Sequence, residues 1–129
     1  MYKTGILNSE ISKLLSDLGH TDQIIIADCG LPVPEGVKKI DLALEFGKPS
    51  FLEVFYLIQQ HMNIEQLTIA EEMLSQNDAL YQKLAVENIE IQTQSHEVFK
   101  AQSKNAKAII RTGEAKPFAN VVLTSGVLF

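Results

Sequence analysis

Disulfide bonds, membrane anchors and targeting signals find little support in this sequence. Its one cysteine, Cys29, has no partner for an internal disulfide, so nothing implies an oxidising compartment. Residues 1–10 contain a single lysine and no apolar run, so we expect no signal peptide. No segment approaches the roughly 18 apolar residues of a membrane span. These absences predict a cytoplasmic protein that does not enter the membrane.

Positive charge is also scarce. Eleven Lys and Arg residues stand against sixteen Asp and Glu, which leaves a formal net charge of −5. Such a chain offers no footprint for a phosphate backbone or an anionic lipid, so nucleic acid is not expected as a partner. C-x-x-C and H-x-x-x-H spacings are missing as well, so no metal is expected.

What the chain does contain is ordinary globular composition. Of its 129 residues, 46% are hydrophobic and 21% are charged. That length suits one domain, residues 1–129, with a core that needs neither disulfides nor metals.

Apolar periodicity predicts alternating helices and strands. Asn8 or Ser9 caps a first helix that Gly19 ends, and the β-branched run 23–27 is typical of a strand buried on both faces. Asp41 is predicted to cap a short helix to Phe46. Further predicted helices are 50–62, 78–86 and 95–101, and further strands are 64–70, 89–93, 108–110 and 121–123. The expected fold class is α/β, a three-layer α/β/α arrangement with a mixed, largely parallel sheet, in which the last two strands could pair antiparallel.

The predicted helix 50–62 is apolar over more than one stripe. One stripe holds Phe51, Val54, Phe55 and Ile58, while Leu52, Tyr56 and Leu57 lie elsewhere on the helix. Such a helix needs two packing partners, and a contact between subunits is one way to supply the second.

Two candidate site residues, His20 and Asp28, bracket the strand 23–27. The extended chain between them spans roughly 20 Å, so they cannot face each other across it. If both act in one pocket, either the loop after Asp28 folds back, or one of the two acts in a neighbouring subunit's site. Asp28 ends a buried strand, where α/β sheets bind ligands, but it could equally cap its loop. His20 could simply bond the last carbonyls of the first helix.

His96 and Lys100 are a second candidate pair. They are four residues apart on a predicted helix, so they share one face and together could bind hydroxyl groups. The alternative is a solvated surface face. His61 is interpreted as an end-of-helix residue without a role, and Cys29, with no base nearby in sequence, as a small hydrophobic residue.

Several segments resemble the D-ribose pyranase family in order and spacing, from residue 5 to residue 129. They are LNSEI (7–11), LGHTD (18–22), IADCGLPVP (26–34), SHEVFK (95–100), IRTGE (110–114), PFAN (117–120) and GVLF (126–129).

This resemblance implies an enzyme that interconverts the pyranose and furanose forms of ribose without a cofactor and supplies ribokinase. Ring opening requires one acid and one base, and histidine serves near neutrality. By resemblance, His20 is the proton donor. Asp28, His96, Phe118, Ala119 and Asn120 match sugar-contacting positions, and Lys100 fits on the same helix face as His96.

One position departs from the family pattern. The motif usually reads Pro-Tyr-Ala-Asn, and Phe118 stands where the tyrosine is expected. A phenol can pass a proton or bond a hydroxyl, whereas Phe cannot. A ribose-binding or regulatory module without mutarotase activity is therefore an alternative, and a fucose-type mutarotase, whose motifs match less well, is another.

The resemblance also implies a ring-shaped homo-oligomer, typically a decamer of two pentamers whose sites are shared between subunits. Such an assembly would bury the second stripe of the helix 50–62. It would also bring the motif 117–120 to His20 of a neighbour.

Overall fold

Six strands form one mixed sheet at the centre of the molecule. The computed structural model describes residues 1–129. The strands are β1 (Gln23–Ala27), β2 (Lys38–Asp41), β3 (Ile64–Ala70), β4 (Glu90–Gln94), β5 (Ala108–Arg111) and β6 (Val121–Ser125), in the order β2-β5-β1-β6-β3-β4. Only β6 runs against its neighbours β1 and β3; the other pairs are parallel. The carboxyl ends of the five parallel strands therefore share one edge with the start of β6. We call this the carboxyl edge and the opposite one the amino edge.

Three of the five helices, α1 (Ser9–Asp17), α2 (Phe51–His61) and α5 (His96–Gln102), begin at side chains that accept from their first free amides. Asn8 accepts from the Ile11 amide at 3.0 Å, Ser50 and Glu53 form a capping box, and Ser95 accepts from the Val98 amide at 3.2 Å. No helix combines the length and the apolar character needed to cross a membrane. The helices are α1 (Ser9–Asp17), α2 (Phe51–His61), α3 (Glu72–Gln76), α4 (Asp78–Ala85) and α5 (His96–Gln102), followed by a 3₁₀ turn (Ser103–Asn105).

Hydrophobic side chains pack on both faces of the sheet. The alternation along β1 sends Ile24 and Ile26 into a large core with α1 to α4, and Ile25 into a smaller core with Phe99 of α5. The prediction that this strand is buried on both faces is confirmed. The α/β/α class with a mixed, largely parallel sheet is confirmed too.

The predicted helix from Asp41 to Phe46 is wrong. Residues up to Asp41 form β2, which pairs in parallel with β5. The Asp41 carboxylate accepts from the Ala43 amide at 3.0 Å, so it caps a turn instead of a helix. β2 buries only Ile40, which left its strand pattern too weak to detect. The short helix α3 was missed as well.

The last two strands do not pair with each other. They run in opposite directions, but β1 lies between them and bonds to both. The short connection 112–120 therefore crosses β1 at the carboxyl edge, which brings its residues to the end of that strand.

Helix α2 buries most of its apolar surface within its own chain. Phe51 and Phe55 are fully buried, and Leu52 and Tyr56 pack partly against the same core. Of the apolar residues outside the first stripe, Leu57 is the one that remains 39% exposed.

Candidate functional site

Asp28 and Asn120 form a bonded pair at the carboxyl edge. Asp28 directly follows β1, and Asn120 directly precedes β6. The Asn120 Oδ1 accepts from the Asp28 amide at 2.9 Å, and its Nδ2 donates to Asp28 Oδ2 at 3.0 Å. The other carboxylate oxygen accepts from the Gly30 amide at 2.9 Å. Asp28 therefore caps its loop, as one interpretation held, and each of its oxygens keeps capacity for a further donor.

The segment 117–120 carries the aromatic ring of Phe118 and ends at Asn120 of this pair. Phe118 has a left-handed φ of 54°, and its carbonyl accepts from the Asn120 amide at 2.9 Å. The Pro117 carbonyl accepts from the Asn77 side chain at 2.9 Å, which anchors the start of the segment. Ala119 is fully buried in the large core, so its methyl group faces the protein.

His96 lies at the same edge, in the first turn of α5. The His96 and Phe118 rings are nearly perpendicular, with centroids 5.0 Å apart, and the Phe99 ring stacks on the His96 ring with centroids 6.4 Å apart. The His96 amide donates to both carboxylate oxygens of Glu72, at 3.0 and 3.2 Å. Nδ1 of His96 is buried and has no hydrogen-bond partner. An unpaired buried polar atom costs about 1–3 kcal/mol, so this nitrogen is suited to meet a ligand hydroxyl.

Lys100 follows His96 by one turn of α5. Its ammonium group lies 2.8 Å from Glu97 Oε1, and this hydrogen bond holds the pKa of Glu97 below its usual range. The Lys100 side chain is 34% exposed. It is therefore a partly buried cation near His96 that a ligand can compete for.

His20 lies at the amino edge. It sits between α1 and β1, and its Nε2 is 3.0 Å from Oε2 of Glu65 at the start of β3. The two side chains are 51% and 42% exposed. The five residues of β1 separate His20 from Asp28 by roughly 17 Å. Within one chain, all the predicted site residues except His20 therefore lie at the carboxyl edge.

The loop after Asp28 does not fold back toward His20. Leu31 packs into the smaller core with Val33, and the Cys29 amide donates to the Glu114 carbonyl at 2.8 Å. Both contacts hold the loop at the carboxyl edge. Two cavities of about 780 and 510 Å³ open elsewhere on the chain, and no predicted site residue lines either of them.

Sequence reasoning missed two carboxylates that bond predicted site residues, and a third carboxylate and a hydroxyl that link the connection 112–120 to α2 and β1. Glu65 bonds His20, and Glu72 bonds the His96 amide. Glu114 accepts from the Phe51 amide at 3.2 Å, and the buried Thr112 hydroxyl donates to the Ala27 carbonyl at 2.8 Å. Each contact spans at least 24 residues, so no local spacing signals it. No three His, Cys, Asp or Glu side chains converge to hold a metal ion.

Comparisons with known proteins place the chain in a family. Its three-layer fold and its edge of polar and aromatic side chains suit a protein that binds a small molecule. The chain belongs to the RbsD / FucU transport protein family, whose model matches residues 1–128. The resemblance noted from the sequence motifs is confirmed.

The relatives align over their full lengths. A D-ribose pyranase of Staphylococcus saprophyticus is 68% identical over 129 residues, and one of Bacillus cereus is 54% identical over 131 residues; each match covers 100% of both proteins. The Bacillus subtilis RbsD solved in complex with D-ribose is 49% identical, with a TM-score of 0.94 and full coverage of both chains. A Streptococcus pneumoniae fucose mutarotase solved with L-fucose is 24% identical, with a TM-score of 0.77 over 95% of each chain, and shares the fold.

Proposed function

We propose that this chain is a D-ribose pyranase, an isomerase that interconverts the pyranose and furanose forms of D-ribose. The observation that carries the proposal is the unpaired, buried Nδ1 of His96, whose ring contacts Phe118 at the same sheet edge as the bonded pair of Asp28 and Asn120. These groups offer donors and acceptors to a neutral molecule rich in hydroxyls. The names of the full-length relatives and the ribose bound to the Bacillus subtilis protein support the same substrate.

The proposed reaction needs no cofactor. His20 gives a proton to the ring oxygen of the sugar, a base removes the proton of the anomeric hydroxyl, and the ring opens to the aldehyde. Closure through a different hydroxyl gives the other ring form. Each positioned acid or base contributes about 10²–10⁴ in rate. His96, Lys100, Phe118 and Asn120 bind the sugar, Ala119, whose methyl group is buried, takes part through its backbone, and Asp28 orients the sugar.

In this proposal the site is completed by a second copy of the chain. His20 of one subunit meets the carboxyl edge of another, because one chain holds the two at opposite edges of its sheet. Exposed apolar side chains supply contact surface: Leu44 is 86% exposed, Phe46 84% and Leu57 39%. The proposed assembly is a decamer of two pentameric rings in the cytoplasm. The furanose form of ribose that the reaction produces supplies ribokinase.

Exchange NMR of D-ribose tests the proposed activity. Added protein should accelerate magnetisation transfer between the pyranose and furanose signals. His20→Ala should abolish the acceleration, whereas His61→Ala, at the exposed end of α2, is the matched control and should retain it.

Two results would contradict the proposal. Unchanged exchange rates with the wild-type chain would exclude catalysis, and full activity of His20→Ala would remove the assigned acid. Ribose binding in calorimetry without any acceleration would favour the binding module, for which the missing hydroxyl at Phe118 is the structural argument.

A further inference from the structure

The turn that carries His20 is held in a strained conformation. Thr21 has a φ of 70°, a left-handed value that a β-branched residue rarely adopts. Its amide donates to the Ser125 carbonyl at 2.9 Å, and the Ser125 amide donates to the Asp22 carbonyl at 2.8 Å. The Asp22 side chain also accepts from the Gly19 amide at 2.8 Å. The end of β6 and the turn itself therefore fix the backbone at His20.

Glu65, which bonds the His20 ring, lies at an irregularity of the sheet. The pairing of β3 with β6 shifts between Ile64, opposite Ser125, and Gln66, opposite Thr124. Glu65 is the additional residue of this bulge, and bulges re-aim side chains away from the regular alternation. A Cβ added at Gly126 would lie 3.2 Å from the Glu65 Cβ, so the chain after β6 packs closely beside Glu65.

The contact between Glu65 and His20 is specific. Oε2 of Glu65 lies 3.0 Å from Nε2 of His20, and no other carboxylate lies within 4.0 Å of either ring nitrogen. The remaining charged groups at this turn, Asp22 and Lys107, lie 4.0 Å from each other. An ionised carboxylate only accepts hydrogen bonds, so the Nε2 of His20 carries the proton that it donates to Glu65.

We infer that Glu65 is a positioning residue for His20: it holds the proton on Nε2 and turns Nδ1 toward the place where the sugar ring must lie. This inference rests on the proposed function, in which His20 exchanges a proton with the sugar. For ring opening His20 must carry a second proton, on Nδ1. Nδ1 gives this proton to the ring oxygen, the neutral ring keeps its proton on Nε2, and Nδ1 takes a proton back from the hydroxyl that closes the new ring. Fixing one tautomer in this way is a common means of orienting a reacting imidazole.

Two substitutions of Glu65 separate orientation from charge. Glu65→Ala removes the acceptor, and we expect kcat for ribose exchange to fall about three- to tenfold, the effect of losing one hydrogen bond, with little change in KM. Glu65→Gln keeps an acceptor oxygen, so its kcat should stay within about twofold of wild type. Glu10→Ala, which removes a carboxylate 3.7 Å from Lys38, is the matched control and should behave as wild type.

¹⁵N NMR of the His20 ring supplies a readout that does not depend on activity. At a pH where the ring is neutral, wild type and Glu65→Gln should show the tautomer protonated at Nε2, and Glu65→Ala should show a mixture. Wild-type kcat and tautomer in Glu65→Ala, or equal impairment in Glu65→Gln and Glu65→Ala, would overturn the inference. If the wild-type chain fails to accelerate ribose exchange, the proposed function fails, and the tautomer comparison still decides whether Glu65 orients His20.

Discussion

At the scale of single residues, Asn120 supports Asp28 through both ends of its amide. The side chain is 1% exposed, and it satisfies both the Asp28 amide and one carboxylate oxygen. Asn120→Ala leaves these groups without partners, so we expect the free energy of unfolding to fall by about 1–3 kcal/mol and ribose binding to weaken. Urea unfolding and calorimetry measure the two effects. Asn105→Ala, at an exposed position, should change neither, and an unchanged stability of Asn120→Ala would show that the pair contributes nothing.

Asp41, at the carboxyl end of β2, makes a pH-dependent contribution to stability. The Ala43 amide, opposed by partial desolvation and assisted by Arg111, holds the pKa of this carboxyl below its ordinary value of 3.8. A lowered pKa in the folded state stabilises the fold above about pH 4, and this contribution disappears as the pH falls through the folded-state pKa. The Asp41 side chain is 43% exposed and thus screened by solvent, so the contribution is below about 1 kcal/mol.

Asp41→Asn should therefore destabilise the protein slightly at pH 7 and less at pH 2.5, because the contribution declines as the pH falls below the unfolded-state pKa. Urea unfolding of wild type and variant at both pH values measures the difference. A loss of the same size at both pH values would contradict the assignment to the ionised carboxylate.

The sequence predicted the supporting residues of the site less well than the residues at its centre. Asp28, His96 and Asn120 were identified from their motifs, and they come together at one edge. Glu65 was not, because its contact with His20 depends on a bulge that pairing between β3 and β6 creates, 45 residues from the histidine.

At the scale of elements, apolar periodicity was a reliable guide where burial is strong. β1 and α2 were predicted at nearly their observed bounds because β1 carries an uninterrupted apolar run and α2 a clear cap. β3 was predicted at its observed bounds although polar residues interrupt its apolar pattern. β2 buries a single residue and depends on its pairing with β5 for its conformation. Tertiary pairing overrides local signals at such a strand, and the turn chemistry of Asp41 was taken for a helix cap.

The connection between β5 and β6 depends on a close approach at Gly113. A Cβ at this position would lie 2.4 Å from the Lys48 carbonyl oxygen and 2.5 Å from that of Glu45. These are backbone atoms of a turn that also bonds to residue 113, so they cannot move aside without cost. We expect Gly113→Ala to lower the free energy of unfolding by at least about 2 kcal/mol, within the range for overpacking.

Thermal or urea unfolding measures this loss. Gly30→Ala is the matched control, because its added Cβ would make only an ordinary contact of 3.7 Å with Asp28 Oδ1. Equal stability of the two variants would show that the turn at residues 45–48 adapts to the added methyl group.

At the scale of the whole molecule, His20 and the carboxyl edge of one chain are too far apart to share a site. The proposed site must therefore take them from different subunits, and mixing variants tests this. His20→Ala and Asp28→Ala each remove one half of the site, and each variant alone should be inactive. If every site takes His20 from one subunit and Asp28 from another, random co-assembly of equal amounts leaves about one quarter of the sites intact. Exchange NMR on the co-expressed pair should then recover about that fraction of wild-type activity.

A second mixture tests the shared site by loss of activity, whereas the first tests it by recovery. Wild type co-assembled with the double variant His20→Ala/Asp28→Ala should retain about one quarter of the sites if they are shared, and about one half if each chain works alone. Different affinity tags on the two chains must co-purify in both preparations, which shows that the oligomers are mixed, and a monomer mass in light scattering would itself contradict the shared site. No recovery in the first mixture together with one half in the second would place His20 and Asp28 in the same subunit's site, which requires the sheet edges of this chain to rearrange.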